Sequence, residues 1–436
     1  MIRDIYKQLL EWKLDPEKKP LLIRGARQTG KTYIVNEFGK NEFKQVIYIN
    51  FERNPEYKEI FTSLMPSEII EKIALFTTQG AVAGNTLLFL DEIQDCPNAI
   101  ISLRYFYEEM PDLHVIGAGS LLEFALLSEN FKMPVGRIQY LYLHPLSFGE
   151  FIEALGETEL RNYINHYSNL NKISQNLHIK LNKLIRKYFY IGGMPAVVKE
   201  YIRSQDIIKC QRIQQSIIDT YIDDFGKYAK ASKHNTMRKV FGTIPAMVGQ
   251  KYVYANVDRN IKSRELKDSL DLLETAGVIN RVKQTNGSGL PLSAGINESF
   301  FKVIFLDIGL FHAISGIYSE TAREKELAAI FKGAVAEQFV GQELIANNSP
   351  FRKAELFYWG RKAKNSTAEV DYLIEKEGRI MPIEVKSGTV AHMKSLHIFL
   401  EKYQSKTGIK ISQLQFNQKP PVLSIPFYGI ESFLKN

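Results

Sequence analysis

The 436-residue sequence is poor in cysteine, with only Cys96 and Cys210, and it contains no apolar run of about 18 residues. Two cysteines exclude a disulfide framework and a cysteine-based zinc site, and the missing apolar run predicts that no helix crosses a membrane. The polar and charged N-terminus also lacks the apolar stretch of a signal peptide. We therefore expect a cytoplasmic protein with no membrane partner.

The length predicts several domains, and the composition is typical of a globular protein, with 45% hydrophobic and 24% charged residues. The net charge of +8 favours an anionic partner, either ATP or a nucleic acid. Basic residues are concentrated between Lys227 and Lys239 and again between Arg361 and Lys364. Each group either contacts an anion or forms a solvated face.

A phosphate-binding loop is the strongest motif of the chain. Its fixed pattern G-x-x-x-x-G-K-[ST] is matched by Gly25-Ala26-Arg27-Gln28-Thr29-Gly30-Lys31-Thr32. In such a loop, backbone N–H groups surround a polyphosphate, the lysine reaches the β- and γ-phosphates, and the threonine hydroxyl ligates Mg²⁺. A short apolar strand is predicted before the loop and a helix after it, whose N-terminus favours an anion. The motif predicts that ATP and Mg²⁺ are the cofactors.

An acidic pair ends a later apolar run, Thr86 to Leu90. A wholly apolar run predicts a strand that is covered on both faces, and its C-terminal end faces the nucleotide crevice of a parallel α/β sheet. There Asp91 can hold Mg²⁺ and Glu92 can activate the attacking water, which ATP hydrolysis requires. Further strands, at 45–51, 113–117 and 138–143, alternate with helical patterns and predict a doubly wound parallel sheet.

Two more residues are candidate catalytic groups. Ser120 follows the next predicted strand, where it either senses the γ-phosphate or caps a helix. Arg137 precedes the last strand and is either an arginine finger, acting in cis or in trans, or a surface residue.

These motifs resemble the AAA-type ATPases of the additional-strand, catalytic-glutamate class. The segments that carry the resemblance are Gly25–Thr32, Leu87–Glu92 and Gly119-Ser120. The stretch from Gly136-Arg137 to Phe151, together with Gly192-Gly193-Met194-Pro195, is similar to a bacterial and archaeal family. That family joins such an ATPase to a C-terminal domain of unknown function, and the resemblance covers nearly the whole chain.

The middle of the chain is predicted to be helical, with a tight turn at Gly192-Gly193. Two helices, ending at Val248 and Ala276, and two strands then follow the layout of a winged helix. Its second helix carries more acidic than basic residues, so we favour a packing or protein-contact module over a DNA-binding one.

A second group of charged residues lies near the C-terminus. Asp371 is predicted on one strand of a hairpin, and Glu384 and Lys386 on one face of the other. Two carboxylates can bind Mg²⁺ that activates water, and the lysine can orient that water. With the helical Glu337, this pattern resembles the restriction-endonuclease-like superfamily, whose signature is D…(D/E)-x-K. The resemblance implies either a nuclease site or a salt-bridge network in a fold that no longer cleaves.

Taken together, the sequence predicts an α/β P-loop NTPase at 1–155, a helical lid at 156–228, a winged-helix module at 229–318 and a restriction-endonuclease-like domain at 319–436. The expected function is Mg²⁺-dependent ATP hydrolysis that switches the C-terminal region. The alternatives are an ATP-gated DNA endonuclease and a slow nucleotide-switched scaffold or regulator that binds a protein partner.

Overall fold

A computed structural model describes residues 1–126, 136–228, 231–316, 333–363, 366–387 and 393–436. The chain forms two compact units. Unit 1 comprises Met1–His144, Thr275–Gly277 and Ser349–Lys353, and unit 2 comprises Pro145–Glu274, Val278–Asn348 and Ala354–Asn436. The boundary predicted at 318/319 and Lys364 of the second basic group lie outside the described residues.

Unit 1 contains a parallel sheet. Within the described residues it has five strands in the order β2-β3-β4-β1-β5. Strands β1 to β5 are Leu21–Arg24, Gln45–Asn50, Thr86–Asp91, His114–Ala118 and Gln139–Tyr142. Helices α1 to α5 are Ile5–Leu14, Lys31–Glu42, Pro66–Thr77, Pro97–Glu109 and Leu122–Leu126. The predicted P-loop type of parallel α/β sheet is confirmed.

Burial of β3 explains why this strand reads as an unbroken apolar run. Every residue of β3 is buried. Leu88 and Leu90 belong to the hydrophobic cluster on one face of the sheet, whereas Leu87 and Phe89 belong to the cluster on the other. Because both faces of the strand are covered, each position favours an apolar side chain until Asp91 ends the strand.

Unit 2 begins with helices, as predicted. Helices α6 to α10 are Phe148–Ala154, Thr158–Asn165, Gln175–Ile191, Pro195–Ser204 and Ile207–Tyr228. The turn predicted at Gly192-Gly193 separates α8 from α9. The later helices α11 to α16 are Ala231–Thr243, Ser263–Thr275, Ile308–Ser315, Ala334–Ala346, Lys394–Tyr403 and Ile430–Lys435. In the described part of the chain, no helix has both the length and the apolar character that a membrane span requires.

A mixed sheet follows these helices in unit 2. Among the described residues it has eight strands in the order β12-β13-β11-β10-β9-β8-β6-β7. Strands β6 to β13 are Ile279–Thr285, Ile296–Phe305, Leu356–Ala363, Ser366–Lys376, Arg379–Lys386, Gly408–Ser412, Asn417–Lys419 and Val422–Pro426. The hairpin predicted around Glu377-Gly378 joins β9 to β10, with Arg379 paired to Lys376.

The two strands predicted as a wing do not form a separate module. They are β6 and β7, and β6 pairs in parallel with β8, so the hairpin forms one edge of the large sheet. The second half of β7, from Phe301 to Phe305, is buried. An apolar segment of this kind must be buried against other elements, and an isolated two-stranded wing does not provide enough of them. The local layout of helices and hairpin could not reveal this non-local pairing.

A buried carboxylate anchors α6 within unit 2. The Glu343 Oε1 atom accepts a hydrogen bond of 2.8 Å from the Phe148 backbone N–H, and Oε2 accepts one of 3.2 Å from Asn347. Burial raises the pKa of Glu343 to about 8. Protonation leaves the carbonyl oxygen able to accept from Phe148, so the folded protein binds this proton more tightly than the unfolded chain.

The free energy of unfolding should therefore depend on the proton carried by Glu343. Between the ordinary glutamate pKa near ~4.3 and the folded pKa, stability falls as pH rises, by about 1 kcal/mol per pH unit for one such group. We expect Glu343→Gln, which retains an acceptor for Phe148, to reduce this slope in urea denaturation from about pH 6 to about pH 8.

The matched control is Glu401→Gln on α15, whose side chain is exposed. It should leave the slope unchanged. Equal slopes for wild type and Glu343→Gln would contradict the role assigned to this proton.

Candidate functional site

The phosphate-binding loop runs from the end of β1 to the start of α2. Gly25 has a φ of 148°, and a Cβ at this position would lie 2.2 Å from the carbonyl oxygen of Leu143. A side chain at position 25 is therefore excluded by the backbone that follows β5. Gly30, at the N-terminus of α2, has a left-handed φ of 95°, which favours glycine. Both glycines are thus required by the path of the backbone.

The lysine of the motif lies inside the curve of the loop. Lys31 is buried, and its Nζ atom donates to the carbonyl oxygens of Gly25 at 2.9 Å and Ala26 at 2.8 Å. Burial lowers the pKa of Lys31 to about 8, while the charges of Glu92 and Asp91 act in the opposite direction. The loop therefore holds a desolvated cation that an anionic group would stabilise further.

Two further contacts fix the loop from its carbonyl side. The buried Thr29 hydroxyl donates to the Ala26 carbonyl at 2.9 Å. Arg3, near the N-terminus, donates through Nη1 to the Thr29 carbonyl at 3.1 Å and through Nη2 to the His144 carbonyl at 2.6 Å. The guanidinium thus links the loop to the backbone beyond β5, which limits the motion of the loop.

Asp91 and Thr32 meet at the C-terminal edge of the sheet. The Thr32 hydroxyl lies 3.2 Å from Asp91 Oδ1 and 3.1 Å from Oδ2. Asp91 is buried, and burial together with the charge of Glu92 raises its pKa. Hydroxyl and carboxylate oxygens are the ligands that Mg²⁺ prefers, so this pair of side chains fits the ion that the motif implies.

Tyr48 and Asn50, both on β2, also contact Asp91. Tyr48 Oη donates to Asp91 Oδ2 at 2.8 Å, and Asn50 Nδ2 donates to the same oxygen at 3.1 Å. Burial raises the pKa of Tyr48 to about 12, so the phenol remains a donor at neutral pH. Neither residue is among those that the sequence motifs predict for the site.

Glu92 is adjacent to Asp91 but is held by other partners. Its φ of 48° is left-handed, which directs its side chain away from the line of the strand. The Oε2 atom accepts from Gln94 Nε2 at 2.7 Å, from the Ser120 backbone N–H at 3.1 Å and from the Ser120 hydroxyl at 3.2 Å. The structure thus brings Glu92 and Ser120 together, two of the residues predicted from sequence.

Arg137 is placed differently. Its Nε atom donates to Glu108 Oε1 at 2.8 Å, and its side chain is 45% exposed. Glu108 also pairs with Arg104 on the same helix. Within the described ranges, no hydrogen bond or ion pair connects Arg137 to the loop or to the acidic pair.

The C-terminal constellation is also assembled, but its groups are paired with one another. Asp371 Oδ2 accepts from the Val385 N–H at 2.8 Å, and Lys386 Nζ donates to Glu384 Oε1 at 2.6 Å. Burial, followed by the charge of Asp371, raises the pKa of Glu384 to about 7. The hairpin therefore brings together the three residues that the sequence predicts to converge.

A lysine from β7 lies among these carboxylates. Lys302 is 2% exposed, and its Nζ atom is 2.6 Å from Glu369, 3.1 Å from Glu337 and 3.6 Å from Asp371. Burial lowers the pKa of Lys302, but the charges of Glu337, Asp371 and Glu369 outweigh burial and raise it well above the ordinary value. The ammonium group thus supplies positive charge at the centre of the cluster. No group of three or more acidic, histidine or cysteine side chains among the described residues is suited to hold a metal ion.

Three lysines on the helices of the region predicted as a winged helix have acidic partners. Lys233 pairs with Asp268 at 2.9 Å, Lys239 with Asp258 at 2.6 Å, and Lys267 with Asp271 at 3.0 Å. Pairing of this kind reduces the positive potential that a phosphate backbone would need.

The site residues that were not predicted differ in the signal they leave in the sequence. Tyr48 and Asn50 alternate on a predicted strand and so share a face, but the register with β3 cannot be deduced from the sequence. Lys302 interrupts an otherwise apolar stretch from Phe300 to Phe305, which is a signal for a buried cation with acidic partners. Arg3 leaves no signal, because its partners are backbone carbonyls.

Comparison with family models divides the chain into three parts. Residues 17–152 match the family described as "AAA domain". Residues 182–321 and 332–428 match two families, DUF8612 and DUF4143, each described as a domain of unknown function. The comparison with curated proteins found no match. The first part of the chain is therefore similar to an AAA domain, and it contains the P-loop described above.

Three of the solved structures with similarity to the chain come from Pyrococcus abyssi and Aeropyrum pernix. The Walker-type ATPase PABY2304 of Pyrococcus abyssi is 15% identical with a TM-score of 0.46, and the match covers 72% of this chain and 96% of that one. The Aeropyrum pernix ORC1 protein in complex with DNA is 13% identical with a TM-score of 0.30, covering 72% and 93%. The Aeropyrum pernix ORC2 protein, in ADPNP-ADP complexes, is 12% identical with a TM-score of 0.37, covering 73% and 93%.

The Lys302 cluster yields a prediction about stability. Lys302→Met removes the buried ammonium and leaves the partly buried carboxylates around it without this cation. Breaking a buried pair in this way costs about 3–5 kcal/mol. We expect this loss in urea denaturation near neutral pH, and a smaller loss in acid, where the carboxylates are protonated.

Lys283→Met on the neighbouring strand β6 is the matched control, since its pair with Glu355 is partly exposed to solvent. It should cost less than about 1 kcal/mol. Equal losses for the two variants would show that the Lys302 contacts contribute no more than a surface ion pair.

Proposed function

We propose that the chain is a Mg²⁺-dependent ATPase whose nucleotide site lies at the C-terminal edge of the unit 1 sheet. The observation that carries this proposal is the contact between the Thr32 hydroxyl and the Asp91 carboxylate, beside a loop that holds Lys31. Thr32 belongs to the phosphate-binding loop, and Asp91 ends strand β3, 59 residues later in the chain. The match of residues 17–152 to the AAA domain supports the proposal independently.

The roles of the side chains follow from their chemistry. Amides of the loop and Lys31 bind the phosphates and reduce their charge, while Thr32 and Asp91 hold Mg²⁺. The ion, when bound, neutralises charge on the phosphate oxygens. Glu92 accepts a proton from the attacking water. To do so, its carboxylate must first break some of its hydrogen bonds with Ser120 and Gln94.

Ser120 and Arg137 act in supporting roles in this proposal. Both donors of Ser120 are directed at Glu92, so Ser120 positions the proposed base and couples it to the strand end at Ala118. Arg137 would act as an arginine finger after leaving Glu108, in cis or on the site of a second copy. Its exposed side chain is compatible with either arrangement.

A segment of the later chain supports a link between hydrolysis and the C-terminal region. Thr275–Gly277 belongs to unit 1, and a Cβ at position 277 would lie 3.3 Å from the Cβ of Ala26 in the loop. The segment continues directly from α12. A change in the loop upon hydrolysis can therefore be transmitted along the backbone to this helix, which is the switching that we propose.

Cleavage of DNA is not part of the proposed function. Lys302 and Lys386 form ion pairs with the carboxylates of the unit 2 cluster, which supports a salt-bridge network in a restriction-endonuclease-like fold. The paired lysines of α11 and α12 give no support to DNA binding.

Two substitutions should separate nucleotide binding from turnover. Lys31→Ala removes the cation of the loop and is expected to abolish both ATP binding, measured by calorimetry, and hydrolysis. Glu92→Gln keeps the metal ligands and the acceptor for Ser120, so binding should persist while turnover falls about 100-fold or more.

Lys40→Ala, an exposed lysine on the same helix as Lys31, is the control and should match wild type. Hydrolysis at the wild-type rate by Lys31→Ala would refute the proposal. The absolute rate of ATP hydrolysis distinguishes an ATPase with rapid turnover from a slow nucleotide switch, since switch NTPases turn over at about 10⁻⁴ per second without a partner.

A nicking assay tests the absence of nuclease activity. Supercoiled DNA incubated with the protein, ATP and Mg²⁺ or Mn²⁺ should remain intact, because the carboxylates are already paired with lysines. Nicking that disappears in Lys386→Ala would contradict this expectation.

A further inference from the structure

The two oxygens of Asp91 have unequal surroundings. Oδ2 lies within hydrogen-bond distance of three donors, Tyr48 Oη at 2.8 Å, Asn50 Nδ2 at 3.1 Å and Thr32 Oγ1 at 3.1 Å. Oδ1 has one side-chain donor among the described residues, the same Thr32 hydroxyl at 3.2 Å. The Thr32 hydroxyl carries one proton and, in the described part of the chain, is the only side-chain donor within reach of both oxygens.

The register of the sheet produces this asymmetry. β2 pairs with β3 so that Asn50 is opposite Asp91 and Tyr48 is opposite Phe89. The Tyr48 ring packs on Phe89 with ring centroids 5.3 Å apart, which directs the phenol towards the strand end. Asn50 Nδ2 also lies 3.1 Å from the Tyr48 hydroxyl, and Asn50 Oδ1 accepts from the Arg53 N–H at 2.7 Å. The two side chains therefore support each other and approach Asp91 from the same side.

We propose that Tyr48 and Asn50 are positioning residues that hold Asp91 Oδ2, so that Oδ1 is the oxygen presented to the divalent cation. The inference rests on the proposed function and adds two residues to it. When the Thr32 hydroxyl serves as a metal ligand, Oδ1 loses its side-chain donor, whereas Oδ2 keeps two. Tyr48 and Asn50 touch neither the nucleotide nor the reacting water in this scheme.

The expected effect follows from how carboxylate ligands behave in general. Outer hydrogen bonds fix the rotation of a ligating carboxylate, and their removal typically lowers metal affinity about 10- to 100-fold. Tyr48→Phe removes one hydroxyl and preserves the ring that packs on Phe89. It should therefore weaken cation binding while nucleotide binding to the loop is unchanged.

The test uses the full chain in complex with ADP. Binding of Mn²⁺ is followed by electron paramagnetic resonance, and ADP affinity is measured separately with the cation removed by chelation. Tyr48→Phe should lower the Mn²⁺ affinity about 10-fold or more and leave the chelated ADP affinity at the wild-type value. The Mg²⁺ concentration for half-maximal ATP turnover should rise in parallel.

Tyr57→Phe is the matched control. Tyr57 packs against the core of the same unit, and its hydroxyl forms no hydrogen bond with the described residues. Its Mn²⁺ affinity should equal that of wild type. Equal affinities for Tyr48→Phe and Tyr57→Phe would overturn the inference, and so would tighter binding in Tyr48→Phe, since the phenol would then compete with the cation.

Failure of the inference can be told apart from failure of the proposed function. If the wild-type protein binds no ADP or ATP, the proposed function and the inference both fall. If it binds nucleotide and hydrolyses ATP, but Tyr48→Phe binds Mn²⁺ as wild type does, only the assignment of Tyr48 and Asn50 is wrong.

Discussion

The contact between Thr32 and Asp91 is the constraint on which the unit 1 site depends. The loop leaves β1 and the carboxylate ends β3, and these strands are separated in the sheet by β4 alone. Because all the strands are parallel, their carboxyl ends lie at one edge, where a strand-end side chain can reach the start of α2. The proposed roles of Lys31, Glu92 and Ser120 all follow from this arrangement.

The carboxylates of the two charged clusters have partners of different types. In unit 1, Asp91 receives neutral donors, the hydroxyls of Thr32 and Tyr48 and the amide of Asn50, so its negative charge remains available to a cation. In unit 2, Glu337, Glu369 and Asp371 share the ammonium of Lys302, which offsets part of their charge directly. A buried carboxylate needs a partner in either case, and the type of partner decides whether the site can still attract a metal ion.

The edge strand β7 determines the character of unit 2. Its buried half contributes Phe301, Val303 and Phe305 to packing and Lys302 to the carboxylates. One strand thus completes the sheet and supplies the lysine at the centre of the cluster. This dual role explains why a segment that looks like an independent wing in the sequence is inseparable from the C-terminal sheet.

The sequence by itself determined the features that depend on neighbouring residues. The loop of residues 25–32, the strand that ends at Asp91, the turn at Gly192-Gly193 and the hairpin at Glu377-Gly378 were all predictable, because glycine conformation, apolar runs and turn chemistry act over a few residues. The parallel α/β class followed from the alternation of such segments.

Only the tertiary structure decided which distant side chains meet. The register of β2 against β3 brings Tyr48 and Asn50 to Asp91, the pairing of β6 with β8 brings Lys302 to the carboxylates, and Arg3 reaches the loop from the N-terminus. Strand order and register depend on the burial of whole faces of a sheet. The free energy of that burial is a sum of small contributions from many residues, so no single motif predicts the order or the register.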